Sequence, residues 1–248
     1  MPLYYDNMAL SNKEIRLFAT AITVAGMTVG MLFYNSAIIG FAAVIMLISI
    51  FPVYRKRIIE KHKSELLVQF RDVLYSISAS VSAGRNMLQA LEESITFWEA
   101  TYKENDFIME ELKYMTGRIR TGNEKDVDVL KDFAERSGLQ DVADFVSVYE
   151  SCRSTGGNLI TAINRATVII GDKISLEKEL QTLMAQKAFE SRIVACAPFL
   201  LMILLRIASP EYLNPMFETS QGRIITTLAL TLMVAALLMM ERINRIEI

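Results

Sequence analysis

Few residues in this 248-residue sequence combine the type and the spacing that chemistry requires. The most suggestive stretch is STGGNLITAIN, residues 154–164, where two glycines and an asparagine sit between apolar runs. Glycine-rich loops ahead of helices can hold phosphate on exposed backbone amides. A Walker-type loop also needs GxxxxGK[ST], with the lysine on the phosphates and the hydroxyl on magnesium. Here Leu159 and Ile160 follow the glycines, the next lysine is Lys173, and no strand precedes the loop. The spacing predicts a corner instead. Gly156 and Gly157 end one helix in a left-handed turn, and Asn158 accepts amide hydrogens at the start of the next.

Other chemistry finds no better footing. The single histidine, His62, lies among lysines with no Cys, Asp or Glu at ligand spacing. Cys152 and Cys196 are too far apart for a redox or metal motif and read as free thiols. The acid pairs Glu92-Glu93 and Glu110-Glu111 are neighbours in sequence and read as solvated helix faces. No serine sits in a nucleophile elbow. The sequence therefore predicts no catalytic site, no cofactor and no metal. Lysine plus arginine (26) nearly balance aspartate plus glutamate (28), so no basic excess points to nucleic acid.

Positioning elements come in two kinds. The chain is 52 % apolar with a positive mean hydropathy, and its apolar residues gather at the two ends. Leu17 to Phe33 and Ala37 to Val53 are uncharged runs separated only by Tyr34, Asn35 and Ser36. As helices each reaches about 25 Å, the short end of what crosses a bilayer. No small-residue cleavage site ends the first run, so a cleaved signal peptide is not expected. A second pair, Ile193 to Ala208 and Ile224 to Met240, flanks the polar, proline-containing segment 209–223.

Basic residues orient these spans. Lys13 and Arg16 precede the first, and Arg55, Lys56, Arg57, Lys61 and Lys63 follow the second. Lys187 and Arg192 precede the third, and Arg242 and Arg245 follow the fourth. The expected organisation is a cytoplasmic N-terminus (1–16), a transmembrane hairpin (17–53), a cytoplasmic helical domain (54–192), a second hairpin (193–240) and a cytoplasmic tail (241–248). Arg206, the one charge inside a span, lies two residues from its end and is expected to snorkel outwards.

The middle reads as six amphipathic helices, with apolar residues recurring every three or four positions. The clearest stripes are Leu66, Leu67, Phe70, Val73, Leu74 and Ile77; Met87, Leu88, Leu91, Ile95, Trp98 and Tyr102; and Val142, Phe145, Val146 and Tyr149. Gly84 ends the first helix, and Asn86 with Gln89 forms a capping box at the second. Gly122 and Asn123 repeat that pattern, and Gly138 closes the fourth helix. The fold class is thus an all-α integral membrane protein, a cytoplasmic six-helix antiparallel bundle flanked by two transmembrane helical hairpins. The sixth helix is expected to run unbroken from Asn158 into the third span, a rod of roughly 75 Å.

Two segments carry a resemblance. FRDVLYSISASVSAGRNMLQALEES (70–94), with its Ser82-Ala83-Gly84 corner followed by Leu88, Ala90 and Leu91, resembles the signature of the type II secretion system F domain. YESCRSTGGNLITAINRA (149–166) is similar to that family's second corner. The outer segment SPEYLNPMFETSQGR and the tail ERINRIEI are similar to those of TadB-like proteins of Tad pilus systems. The resemblance implies a membrane platform protein at the base of a pilus or secretion machine.

The partners it implies are a hexameric secretion or pilus ATPase, pilin subunits, membrane lipid, and a TadC-like platform partner or further copies of the chain. Larger members of the family carry two bundles, whereas this sequence shows one and no internal repeat. Docking of the ATPase is expected at the membrane-distal corners, where Arg118, Arg120, Asn123 and Lys125 flank one turn and Arg153 and Ser154 another. The alternatives are a membrane scaffold or a transporter-associated helical protein without a pilus role. A transporter predicts polar groups within the spans, and these are scarce.

Overall fold

Apolar side chains at helical spacing leave the backbone little choice but to satisfy its own hydrogen bonds in helices, both in a core and in lipid. The computed structural model describes residues 5, 12–48 and 51–244, and every element in it is helical. The helices are α1 (Asn12–Tyr34), α2 (Ala37–Ile48), α3 (Phe51–Ser82), α4 (Met87–Trp98) and α5 (Phe107–Gly122). They continue with α6 (Asp126–Ser137), α7 (Gln140–Thr155), α8 (Leu159–Ala208), α9 (Pro210–Glu218) and α10 (Ser220–Asn244). They fall into two compact units. One holds Met1–Leu10 and Tyr54–Glu177, the other Ser11–Val53 and Lys178–Ile248.

In the first unit, α3 to α8 turn their stripes onto one core. Leu66, Phe70 and Leu74 of α3 meet Leu91 of α4, Leu112 of α5, Phe133 of α6, Phe145 of α7 and Ile163 of α8, all buried. Phe70 is central, its ring 5.7 Å from those of both Phe133 and Phe145. Each such side chain contributes about 1.5–3 kcal/mol by leaving water. The second helix of this unit is shorter than its stripe. It ends at Trp98, and Tyr102 lies in the following turn with its amide bonded to the Trp98 carbonyl. From there the Tyr102 hydroxyl reaches Asp72 at 2.6 Å.

In the second unit, α1 and α2 lie backbone to backbone. A Cβ on Gly30 would fall 2.3 Å from the Gly40 Cα, and one on Gly26 would fall 2.5 Å from a Val44 methyl. Only glycine permits that approach. Of the expected second span, residues 37–48 form α2, residues 49 and 50 lie outside the described residues, and Phe51 to Val53 are helical in α3. Residues 245–248 of the expected tail also lie outside the described residues, as do residues 1–4 and 6–11 of the expected N-terminal segment.

Helix α8 is one 50-residue helix, continuous through Gly171 and through Pro198. The segment expected as an outer loop contains a helix, α9, with Pro210 at its start. Its Leu213 packs with Leu32, Phe33 and Met202 in a small apolar cluster. Two helices, Lys13–Tyr34 and Leu159–Ala208, are long and apolar enough to cross a membrane; α10 has a shorter apolar stretch, Ser220–Ala236. The outward faces carry Leu200, Leu204, Ile207, Leu228 and Leu232, all exposed.

Arg206, expected to snorkel, is held by neighbouring groups of its own unit. It donates to the Met31 carbonyl at the end of α1 and to Asn35 Oδ1 at 2.6 Å, and lies 5.9 Å from the Phe217 ring. A guanidinium there satisfies carbonyls that the helix end leaves open and suits its dipole.

Candidate partner-docking corners

The corners of the first unit are built by helix stops. At Gly156 (φ +72°) the backbone is left-handed, and the amides of Gly156 and Gly157 both donate to the Cys152 carbonyl. Asn158 Oδ1 then accepts from the Thr161 amide, 3.1 Å away. This is a helix-to-helix turn whose glycine amides are already occupied. Gly84 (φ +84°) and Gly138 (φ +58°) are left-handed as well. Asn86 accepts from the Gln89 amide at 2.9 Å while Gln89 Oε1 accepts from the Asn86 amide at 3.2 Å.

One corner departs from the expected pattern. Gly122 is the last residue of α5, and Asn123 takes the left-handed position (φ 50°) instead of opening the next helix. Lys125 occupies the N-cap of α6, without a side-chain cap. Asparagine tolerates this conformation better than other side chains, and Glu124 is drawn back onto Arg118.

The candidate docking cations divide by what holds them. Arg118 is engaged within its corner. It bonds Glu124 through Nε at 2.9 Å and through Nη2, meets Asp132 at 2.7 Å, and lies 5.4 Å from the Tyr114 ring. The hydrogen bond to Glu124 raises the Arg118 pKa and holds the Glu124 carboxyl below its ordinary range. Arg120 is 72 % exposed and pairs with Glu92 of α4 at 3.0 Å. Lys125 is exposed. Arg153, half exposed at the end of α7, pairs with Asp126 of α6 at 3.2 Å. Asp126 also accepts from Tyr149 at 2.7 Å; burial, then Asp126, raises that hydroxyl's pKa. These pairs bring the turns after α5 and α7 together, so Arg153 and Lys125 belong to one charged surface. Ser154 beside them is exposed.

Sequence reasoning misread one acid pair. Glu110 is exposed, but Glu111 is 3 % exposed and faces the core. Both its oxygens accept from Arg136 of α6 at 2.7 Å, and Asp132 takes the Arg136 Nε at 2.8 Å. Burial disfavours the Arg136 charge, but the bonds to Glu111 and Asp132 outweigh it and the pKa is raised. The signal was available: Glu111 stands three residues after Ile108 and four before Met115, on the apolar stripe. Polar contacts also bind α3 to its neighbours, with Ser76 bonded to Ser94 at 2.7 Å and Ser78 to Asn164 at 2.7 Å.

Among the described residues no group of three His, Cys, Asp or Glu converges on a metal position. His62 packs its ring 5.3 Å from Phe107. Corner cations, one buried ion pair and helix caps characterise this helical protein.

A family comparison gives this class its identity. The sequence model of type II secretion system (T2SS) protein F matches residues 73–205, more than half of the chain. The chain belongs to that family, whose members are membrane platform proteins of type II secretion and type IV pilus-related systems rather than enzymes. No curated protein and no solved structure matches it.

Proposed function

We propose that this chain is an inner-membrane platform of a Tad-type pilus or type II-like secretion machine, docking the assembly ATPase and coupling it to pilin insertion or extraction. The observation that carries the reading is the family match. It begins in α3 of the cytoplasmic unit and ends within the apolar part of α8. In this reading α3–α8 form a six-helix antiparallel bundle in the cytoplasm, and two transmembrane hairpins flank it. Both termini are cytoplasmic. Burial of Tyr5 in the first unit supports this topology, because it groups the N-terminal end with the bundle.

Arg120, Lys125 and Arg153 are the docking residues, since their cationic ends reach solvent from adjoining turns. Arg118 shapes the corner that presents them. A TadC-like one-bundle protein or further copies of the chain complete the platform, and membrane lipid surrounds it.

Crosslinking in the native membrane, followed by mass spectrometry of what is captured, tests the proposal. The expected captures are a hexameric secretion ATPase, a one-bundle platform partner or a pilin. Arg120→Glu combined with Lys125→Glu should lower the ATPase yield and leave the pilin yield unchanged. Recovering only transport or lipid-metabolic proteins overturns the reading.

A further inference from the structure

The socket at the start of α5 is filled by the chain's own N-terminal end. Tyr5 is 1 % exposed, and its ring meets that of Phe107 edge-on at 5.6 Å. Its hydroxyl donates to Glu111 Oε1 at 3.3 Å, across 106 residues of sequence. A buried tyrosine needs both an apolar wall for its ring and an acceptor for its hydroxyl. Phe107 and Glu111, one helical turn apart, provide them.

Glu111 also accepts two bonds from Arg136 at 2.7 Å, neither of which runs through Tyr5. Withdrawing Tyr5 breaks one long hydrogen bond and no ion pair, whereas withdrawing Arg136 would strand a buried carboxylate. Burial, then the neighbouring Glu111, raises the pKa of the Tyr5 hydroxyl, so it stays a donor across the physiological range. The hydrogen bond from Tyr5 is distinct from the ion pair beneath it.

We propose that Tyr5 is a releasable ligand of the cytoplasmic unit: it docks in the Phe107–Glu111 socket and latches the N-terminal end of the chain, seven residues before α1 begins, onto α5. Release leaves the helices of the unit in place and uncovers an aromatic and acidic socket. The latch stands whether or not the chain serves a pilus.

Hydrogen exchange of the full chain in lipid nanodiscs tests this, comparing the wild type with Y5A and Y5F. In Y5A the amides of residues 108–115 should exchange several-fold faster, while those of residues 142–149 in α7 stay unchanged. Y5F keeps the ring and should show a smaller rise in the same place. Unchanged exchange at residues 108–115 in Y5A overturns the proposal. So does a uniform rise across all six helices, which would make Tyr5 an ordinary core residue.

Discussion

Glu111 and Arg136 carry opposite charges into a core of Leu112, Phe133 and Ile108, and neither is tolerable there alone. Arg136→Met should therefore destabilise the protein by about 3–5 kcal/mol, because the buried Glu111 carboxyl loses its partner. The double change Glu111→Leu with Arg136→Met should cost much less, since packing then replaces the pair. Denaturant unfolding of the purified protein measures both. Glu124 makes a prediction of opposite exposure. Its folded pKa lies below the ordinary 4.5 because Arg118 bonds the carboxylate. A lowered carboxylate pKa contributes stability that is fully present above the ordinary value and lost as pH falls through the folded one. Thermal unfolding between neutral pH and about pH 3 should show a loss that Glu124→Gln reduces, with the contribution small at this solvated site.

At the scale of elements, the capping box of α4 should show its worth directly. Asn86→Ala removes the acceptor for the Gln89 amide and should cost about 1 kcal/mol, read from the same unfolding curves. Stripes such as Leu66–Phe70–Leu74 were legible in the sequence because burial on one face imposes its period on the residues. The same rule hid other features. Tyr102 continues the apolar spacing of α4, but its hydroxyl is drawn to Asp72, beyond the helix end. Helix α9 was hidden by Pro210 and Pro215, which read as loop residues, although Pro210 sits in the first turn, where proline is suited, and Pro215 lies inside the helix. Among the candidate docking residues, Arg120 and Arg118 look alike in sequence. What separates them is their partners: Glu124 and Asp132 reach Arg118, whereas Glu92 of α4 pairs with Arg120 among the described residues. Tyr5 left no periodic trace, because a single anchoring side chain has no repeat to betray it.

For the molecule as a whole, the proposed topology rests on an asymmetry of basic charge. The turn at residues 34–36 carries none, whereas Arg55, Lys56 and Arg57 follow within the first turns of α3. Changing these three to glutamine and placing two lysines in the turn should invert the N-terminal pair in part of the population. Accessibility of an engineered cysteine beside Lys61 to a membrane-impermeant reagent would report it. An unchanged labelling pattern would show that the bundle's folding, not charge, fixes the orientation. The outward apolar residues of the second unit, Leu200, Leu204 and Leu228 among them, demand cover by lipid or by partner helices.

The contact between Gly30 and Gly40 bears on how α1 and α2 meet lipid. Backbones that close leave no room for an acyl chain between the two helices, so lipid cannot separate them once they have met. In a bilayer the two helices would therefore act as one paired unit, and a methyl group at either glycine would force them apart.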